Sequence, residues 1–99
     1  MENMITVTSE TIGTCKDGME VQITVALKEG SRKVTKHGIE MATAVIESAS
    51  GPVDVIIFPD AYQEAKALIK EGAVVTIKGQ IDDGRPETAL KIKALHILG

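Results

Sequence analysis

Val53-Asp54-Val55-Ile56-Ile57-Phe58-Pro59-Asp60-Ala61-Tyr62 changes character at its middle. The first half is a short apolar run with one charge, Asp54, and its β-branched content favours a strand over a helix. The second half opens a helix: Asp60 is placed to accept backbone N–H bonds as an N-cap, Gln63 stands at the reciprocal capping-box position, and Gly72 closes the far end. Ala61, Ala65, Leu68 and Ile69 form the apolar stripe of that helix, and Glu64, Lys66, Lys70 and Glu71 face water.

On the N-terminal side, Met19 to Lys28 alternates, with Met19, Val21, Ile23, Val25 and Leu27 on one face and Glu20, Gln22, Thr24 and Lys28 on the other. This period of two predicts a half-buried strand. Gly30 to Gly38 is a polar, basic loop bounded by glycines, and a second strand runs from Ile39 to Glu47 before the turn Ser48-Ala49-Ser50-Gly51-Pro52. On the C-terminal side, Ala73 to Ile81 alternates again, Asp82-Asp83-Gly84-Arg85-Pro86 is a turn, and a last strand extends from Glu87 to Leu98. The order β-β-β-α-β-β, all-β with one helix, fits a five-stranded oligonucleotide/oligosaccharide-binding (OB) barrel plugged by its helix between strands three and four. A six-stranded sandwich is the second pattern. Residues 19–99 form the barrel domain, and residues 1–18 read equally as an extra edge strand or as a leader.

The chain has 99 residues, 43% hydrophobic and 25% charged, which suits one soluble globular domain and excludes disorder, a fibrous repeat or a disulfide scaffold. A formal charge of −3 argues against a strongly basic nucleic-acid or membrane-surface protein, so any basic site must be local. Cys15 is the only cysteine, which excludes an intramolecular disulfide and points to a reducing, cytoplasmic setting. No apolar h-region opens the chain and no stretch approaches the length of a membrane span, so neither secretion nor membrane association is expected. Cys15, His37 and His96 are too scattered to suggest a metal site, and no phosphate loop, nucleophile elbow or zinc-hydrolase helix is present. The expectation is a protein without cofactor and without catalytic residues. Asp82 and Asp83 read as turn chemistry.

An ordered set of short pieces carries a family resemblance: Arg32-Lys33-Val34-Thr35-Lys36-His37-Gly38, Met41-Ala42, Ser50 through Tyr62, Glu71-Gly72, and Val75-Thr76-Ile77-Lys78-Gly79. The stretch from about Val21 to Leu98 resembles the nucleic-acid-binding OB domain near the C-terminus of bacterial DNA polymerase III alpha subunits. It is also similar to anticodon-binding and replication-protein OB domains. The resemblance implies a non-enzymatic module that binds single-stranded DNA or RNA across strands two and three, with the loops after strands one and four as clamps. It further implies other replisome subunits as partners. An OB barrel serving protein interaction is the alternative.

The residues partly agree. Lys28, Arg32, Lys33 and Lys36 face one acidic residue, Glu29, between Lys28 and Gly38, a local charge of +3 suited to phosphates. On this reading Lys28, Arg32, Lys33, Lys36 and His37 contact phosphates, Met41, Thr43 and Ile56 line the groove, and Arg85, Lys91 and Lys93 guard its far side. Two departures from the family pattern stand out. Thr43 occupies a position that is aromatic in many relatives, which removes a base-stacking surface and predicts weak binding. Ser48 replaces an acidic residue before the turn glycine. Phe58 and Tyr62 are both expected inside, Phe58 in the core and Tyr62 as part of the barrel plug.

Overall fold

Alternating apolar positions gather in the computed structural model, which describes residues 4–99, into a single sheet of seven strands. These are β1 (Ile5–Val7), β2 (Glu20–Ala26), β3 (Glu29–Val34), β4 (Glu40–Ser48), β5 (Gly51–Ile57), β6 (Val74–Asp83) and β7 (Leu90–Leu98), in the spatial order β1-β2-β6-β7-β5-β4-β3. One α-helix, α1 (Pro59–Ala65), follows β5 and continues as a 3-10 turn over Lys66–Leu68. Among the described residues, no helix is long and apolar enough to cross a membrane.

One face of the sheet is inside. Val21 and Ile23 of β2, Ala42, Ala44 and Ile46 of β4, Val53, Val55 and Ile57 of β5, Val75, Ile77 and Ile81 of β6, and Leu90, Ile92 and Ala94 of β7 are all buried. Ala61, Tyr62 and Ala65 of α1 are buried with them, so the helix plugs the barrel and Tyr62 lies where the sequence places it. Cys15 is also buried, which pushes its thiol pKa up by desolvation, and the group is core filler.

The architecture is the predicted all-β barrel type with one helix, but with seven strands where five were expected. A three-residue strand, β1, adds to the edge of β2 in parallel. Residues 1–3 of the N-terminal segment lie outside the described residues. The first predicted strand also runs on past Lys28 and bends. Leu27 donates its N–H to the Ala73 carbonyl and Lys28 donates its own to the Val45 carbonyl, each at 2.8 Å. The chain thus leaves β6 and joins β4 at a single peptide, so the two arms β2 and β3 wrap both ends of a ladder that does not itself close.

Three local expectations are corrected. The predicted basic loop from Gly30 is a strand as far as Val34, and only Thr35 to Gly38 turns, held by the Thr35 N–H on the Ile39 carbonyl and the Gly38 N–H on the Thr35 carbonyl. Periodicity reports burial, and β3 is exposed along its whole length, so backbone pairing with β4 sustains it without an apolar alternation. The helix starts earlier and is shorter than predicted: Phe58 is at the N-cap, Pro59 takes the first helical position that its fixed φ suits, and no side chain caps the end. Gln63 reaches Glu40 at 3.4 Å instead of capping. Phe58 is surface, 38% exposed, because outward-facing residues of β5 fall on even numbers and Phe58 continues Asp54 and Ile56.

Candidate nucleic-acid interface

The outer face of β3, β4, β5 and β7 is built by register. Ser31 pairs with Thr43, Thr43 with Ile56, and Ile56 with Lys93, forming one row across four strands. The next row is Glu29, Val45, Asp54 and Lys91. On the other side of the first row, Lys33 stands opposite Met41. Between these rows lies a shallow groove of about 230 Å³ whose lining includes Lys33, Thr43, Val45, Asp54, Ile56 and Lys91.

The basic residues expected to act together are divided by the strand geometry. Lys33 belongs to the groove, whereas Arg32, one residue away, points to the opposite side of the ladder and pairs with Glu40 at 3.0 Å. Glu40 also accepts from Gln63, so this cluster ties the β3–β4 hairpin to α1. Lys28 is held by Glu47, whose hydrogen bond and charge raise the lysine pKa. Lys36 and His37 sit on the exposed hairpin tip, beyond the groove, where Thr35 Oγ1 accepts the His37 and Ile39 N–H groups. Glu40 and Glu47 therefore neutralise two of the four basic residues, and the isolated positive hairpin of the sequence reading becomes a nearly balanced one.

On β7, Lys91 and Lys93 face outward between buried Leu90, Ile92 and Ala94. Arg85 does not join them. Its Nε donates to Asp83 Oδ1 at 2.8 Å and its Nη2 to Asp83 Oδ2 at 3.0 Å and to the Gly13 carbonyl at 3.2 Å, which fastens the β6–β7 loop to the N-terminal segment. The Arg85 side chain and N–H hold the Asp83 carboxyl down at about 2 from its ordinary 3.8. At the β4–β5 turn, the Ser48 hydroxyl donates to the Gly51 carbonyl at 2.7 Å and accepts the Ser50 N–H at 3.1 Å.

Val45 and Asp54 of the groove were missed in the sequence, as was exposed Phe58. The signal was present as parity, since Asp54, Ile56 and Phe58 alternate with buried Val53, Val55 and Ile57. The arrangement sets the cations Lys33 and Lys91 and one carboxylate, Asp54, around a neutral floor of Thr43 and Ile56.

A barrel wrapped by one bent strand, plugged by a helix after its fifth strand and carrying a groove on its β4–β5 face, defines the OB class. The chain belongs to the OB-fold nucleic acid binding domain family of the tRNA anticodon type, whose sequence profile matches residues 19–98. It is similar to the DNA polymerase III subunit alpha of Aquifex aeolicus, 38% identical over 64 residues, and to that of Mycobacterium tuberculosis, 29% identical over 69 residues. These matches cover 65% and 70% of the chain, which spans about 6% of the length of either relative. Among solved structures it resembles a domain of replication protein A from Methanococcus maripaludis (TM-score 0.68, 13% identity, 92% of each chain). It also resembles the asparaginyl-tRNA synthetase of Entamoeba histolytica (TM-score 0.65, 15% identity, 96% of this chain and 23% of that one).

Proposed function

We propose that the protein binds single-stranded DNA or RNA along the outer face of β4, β5 and β7, and that it serves as an accessory, non-catalytic domain of a replicative DNA polymerase alpha subunit. Thr43, Ile56 and Met41 form the floor, and Lys33, Lys91 and Lys93 take the phosphates, with Lys36 and His37 reaching the strand from the hairpin tip. One observation carries the reading: Lys33, Lys91 and Lys93 make no ion pair among the described residues and lie on one face, Lys33 and Lys91 in the groove lining and Lys93 opposite Ile56 in register, whereas Lys28, Arg32 and Arg85 are each paired with a carboxylate. The polymerase assignment rests on the likeness to the alpha subunits. It puts the protein in the cytoplasm, with other replisome subunits as neighbours.

Binding on this reading is weak. Three phosphate contacts supply little, and Asp54 and Asp82, which flank Lys91 in register, lower the local potential. The same carboxylates favour a second reading, in which the face docks a protein partner of mixed charge. Adding a short unlabelled oligonucleotide to the isotope-labelled protein separates the two. Amide shifts gathered at 43–45, 54–56 and 91–93 support nucleic acid, and shifts confined to β2 and β6, or none at low salt, overturn it.

A further inference from the structure

A second cavity, of about 500 Å³, lies at the end of the same face and is lined by Phe58, Pro59, Asp60, Ala61 and, from β7, Leu95 and His96. Its position follows from the register. Ala42 pairs with Ile57 and Ile57 with Ala94, so one step further along the strands Met41, Phe58 and Leu95 continue the outer face beyond the Thr43, Ile56 and Lys93 row. Phe58 is two residues from Ile56, about 7 Å along the strand. Leu95 is half exposed because it is the extra residue of a β-bulge: Gly79 pairs with Ala94 and Lys78 with His96, leaving Leu95 unmatched. The bulge turns Leu95 and His96 outward in succession and opens the cavity beside Phe58, as bulges do when they re-aim side chains next to a site.

We propose that this cavity accepts an unpaired nucleobase of the strand held in the groove, stacked on the Phe58 ring. The inference rests on the nucleic-acid reading of the groove. Three observations select a base as the occupant. The cavity follows the lysine-bordered face in register, Phe58 two residues beyond Ile56 and Leu95 two beyond Lys93, so a strand whose phosphates lie at Lys33 and Lys93 has its next base within reach of Phe58. Its wall is an exposed aromatic ring, and stacking on a ring tolerates any base. Its rim carries carboxylates, Asp60 in the lining and Glu64 beside His96 at 3.7 Å, which repel a phosphate while tolerating an uncharged base. Phe58 thereby supplies, at the end of β5, the platform that Thr43 lacks on β4.

The test titrates the whole protein and its variants with a fluorescently labelled single-stranded oligonucleotide at two salt concentrations, with thermal melting of each variant as the fold control. Phe58→Leu keeps an apolar side chain and removes the ring. It is expected to weaken binding about fivefold to a hundredfold, the size of one lost stack, with an unchanged salt slope because no phosphate contact is lost. Phe58→Tyr is expected to bind as the parent does. If the parent binds with a salt-dependent affinity and Phe58→Leu binds equally well, the stacking site is wrong and the groove stands. An equal loss in Phe58→Tyr and Phe58→Leu also overturns it, since packing rather than stacking then decides. A parent that binds no oligonucleotide at low salt overturns groove and stacking site together.

Discussion

Arg32 and Lys33 are chain neighbours on opposite sides of one ladder: the Arg32 guanidinium lies 3.0 Å from Glu40 on the side that leads to Gln63 of α1, and Lys33 faces Met41 on the groove side. Strand alternation thus sorts two cations that look equivalent in the sequence into a structural group and a ligand-facing group. Arg32→Ser is expected to leave oligonucleotide affinity within about twofold, whereas Lys33→Ser weakens it about threefold to tenfold at low salt. Neither change is expected to shift unfolding free energy by more than about 1 kcal/mol, because the Arg32 pair is exposed. Parallel titrations and urea melts of the two variants check this.

Gly79 faces the bulge. A Cβ built there lies 2.2 Å from the Lys93 carbonyl oxygen and 3.0 Å from Ala94 Cα, both backbone atoms that have no rotamer to escape into. Gly79→Ala is therefore expected to cost about 1–3 kcal/mol of stability by overpacking. It should also weaken nucleic-acid binding, since it displaces the strand that carries Lys93 and Leu95. A urea melt with an unchanged midpoint would show that β6 and β7 separate freely at the bulge.

Much of this was open to reading in the sequence and some was not. Alternation located β2 and β6, a further strand pattern β4, and a short β-branched apolar run β5, each within a few residues of its predicted span. Strand β3 gave no such signal, because an exposed hairpin arm is held by backbone pairing alone. Phe58 is expected in the core because it ends an apolar strand beside the helix start, whereas the parity that the sheet obeys turns it outward. Lys33, Thr43, Ile56, Lys91 and Lys93 were identified as site candidates, yet the partners that occupy Lys28 and Arg32 could not be foreseen, and Arg85 is taken mainly by Asp83, two residues away. Glu47, Glu40 and, in part, the Gly13 carbonyl meet them through register and loop packing rather than through sequence spacing.

The Asp83 carboxyl gives a pH signature. Its pKa is depressed from 3.8 to about 2 in the fold by the Arg85 side chain and N–H, so the stabilisation it brings is complete above about pH 5 and is lost as pH falls through about 2. Asp83→Asn should remove that part of the acid sensitivity, and urea midpoints measured at pH 5 and pH 2.5 should move closer together in the variant than in the parent. An unchanged gap would mean that the Arg85 clasp is absent in solution.

The most direct test of the account is the salt dependence of oligonucleotide affinity in the parent, in Lys33→Ser/Lys91→Ser/Lys93→Ser, and in the helix-charge control Lys66→Ser/Lys70→Ser. Three phosphate contacts at about 0.7 each predict a log–log slope near −2 for the parent and for the control, which changes only long-range attraction, and a slope near zero with little residual binding for the groove variant. A groove variant that keeps the parent's affinity and slope, or a helix variant that loses them, would contradict the placement of nucleic acid on the β4–β5–β7 face.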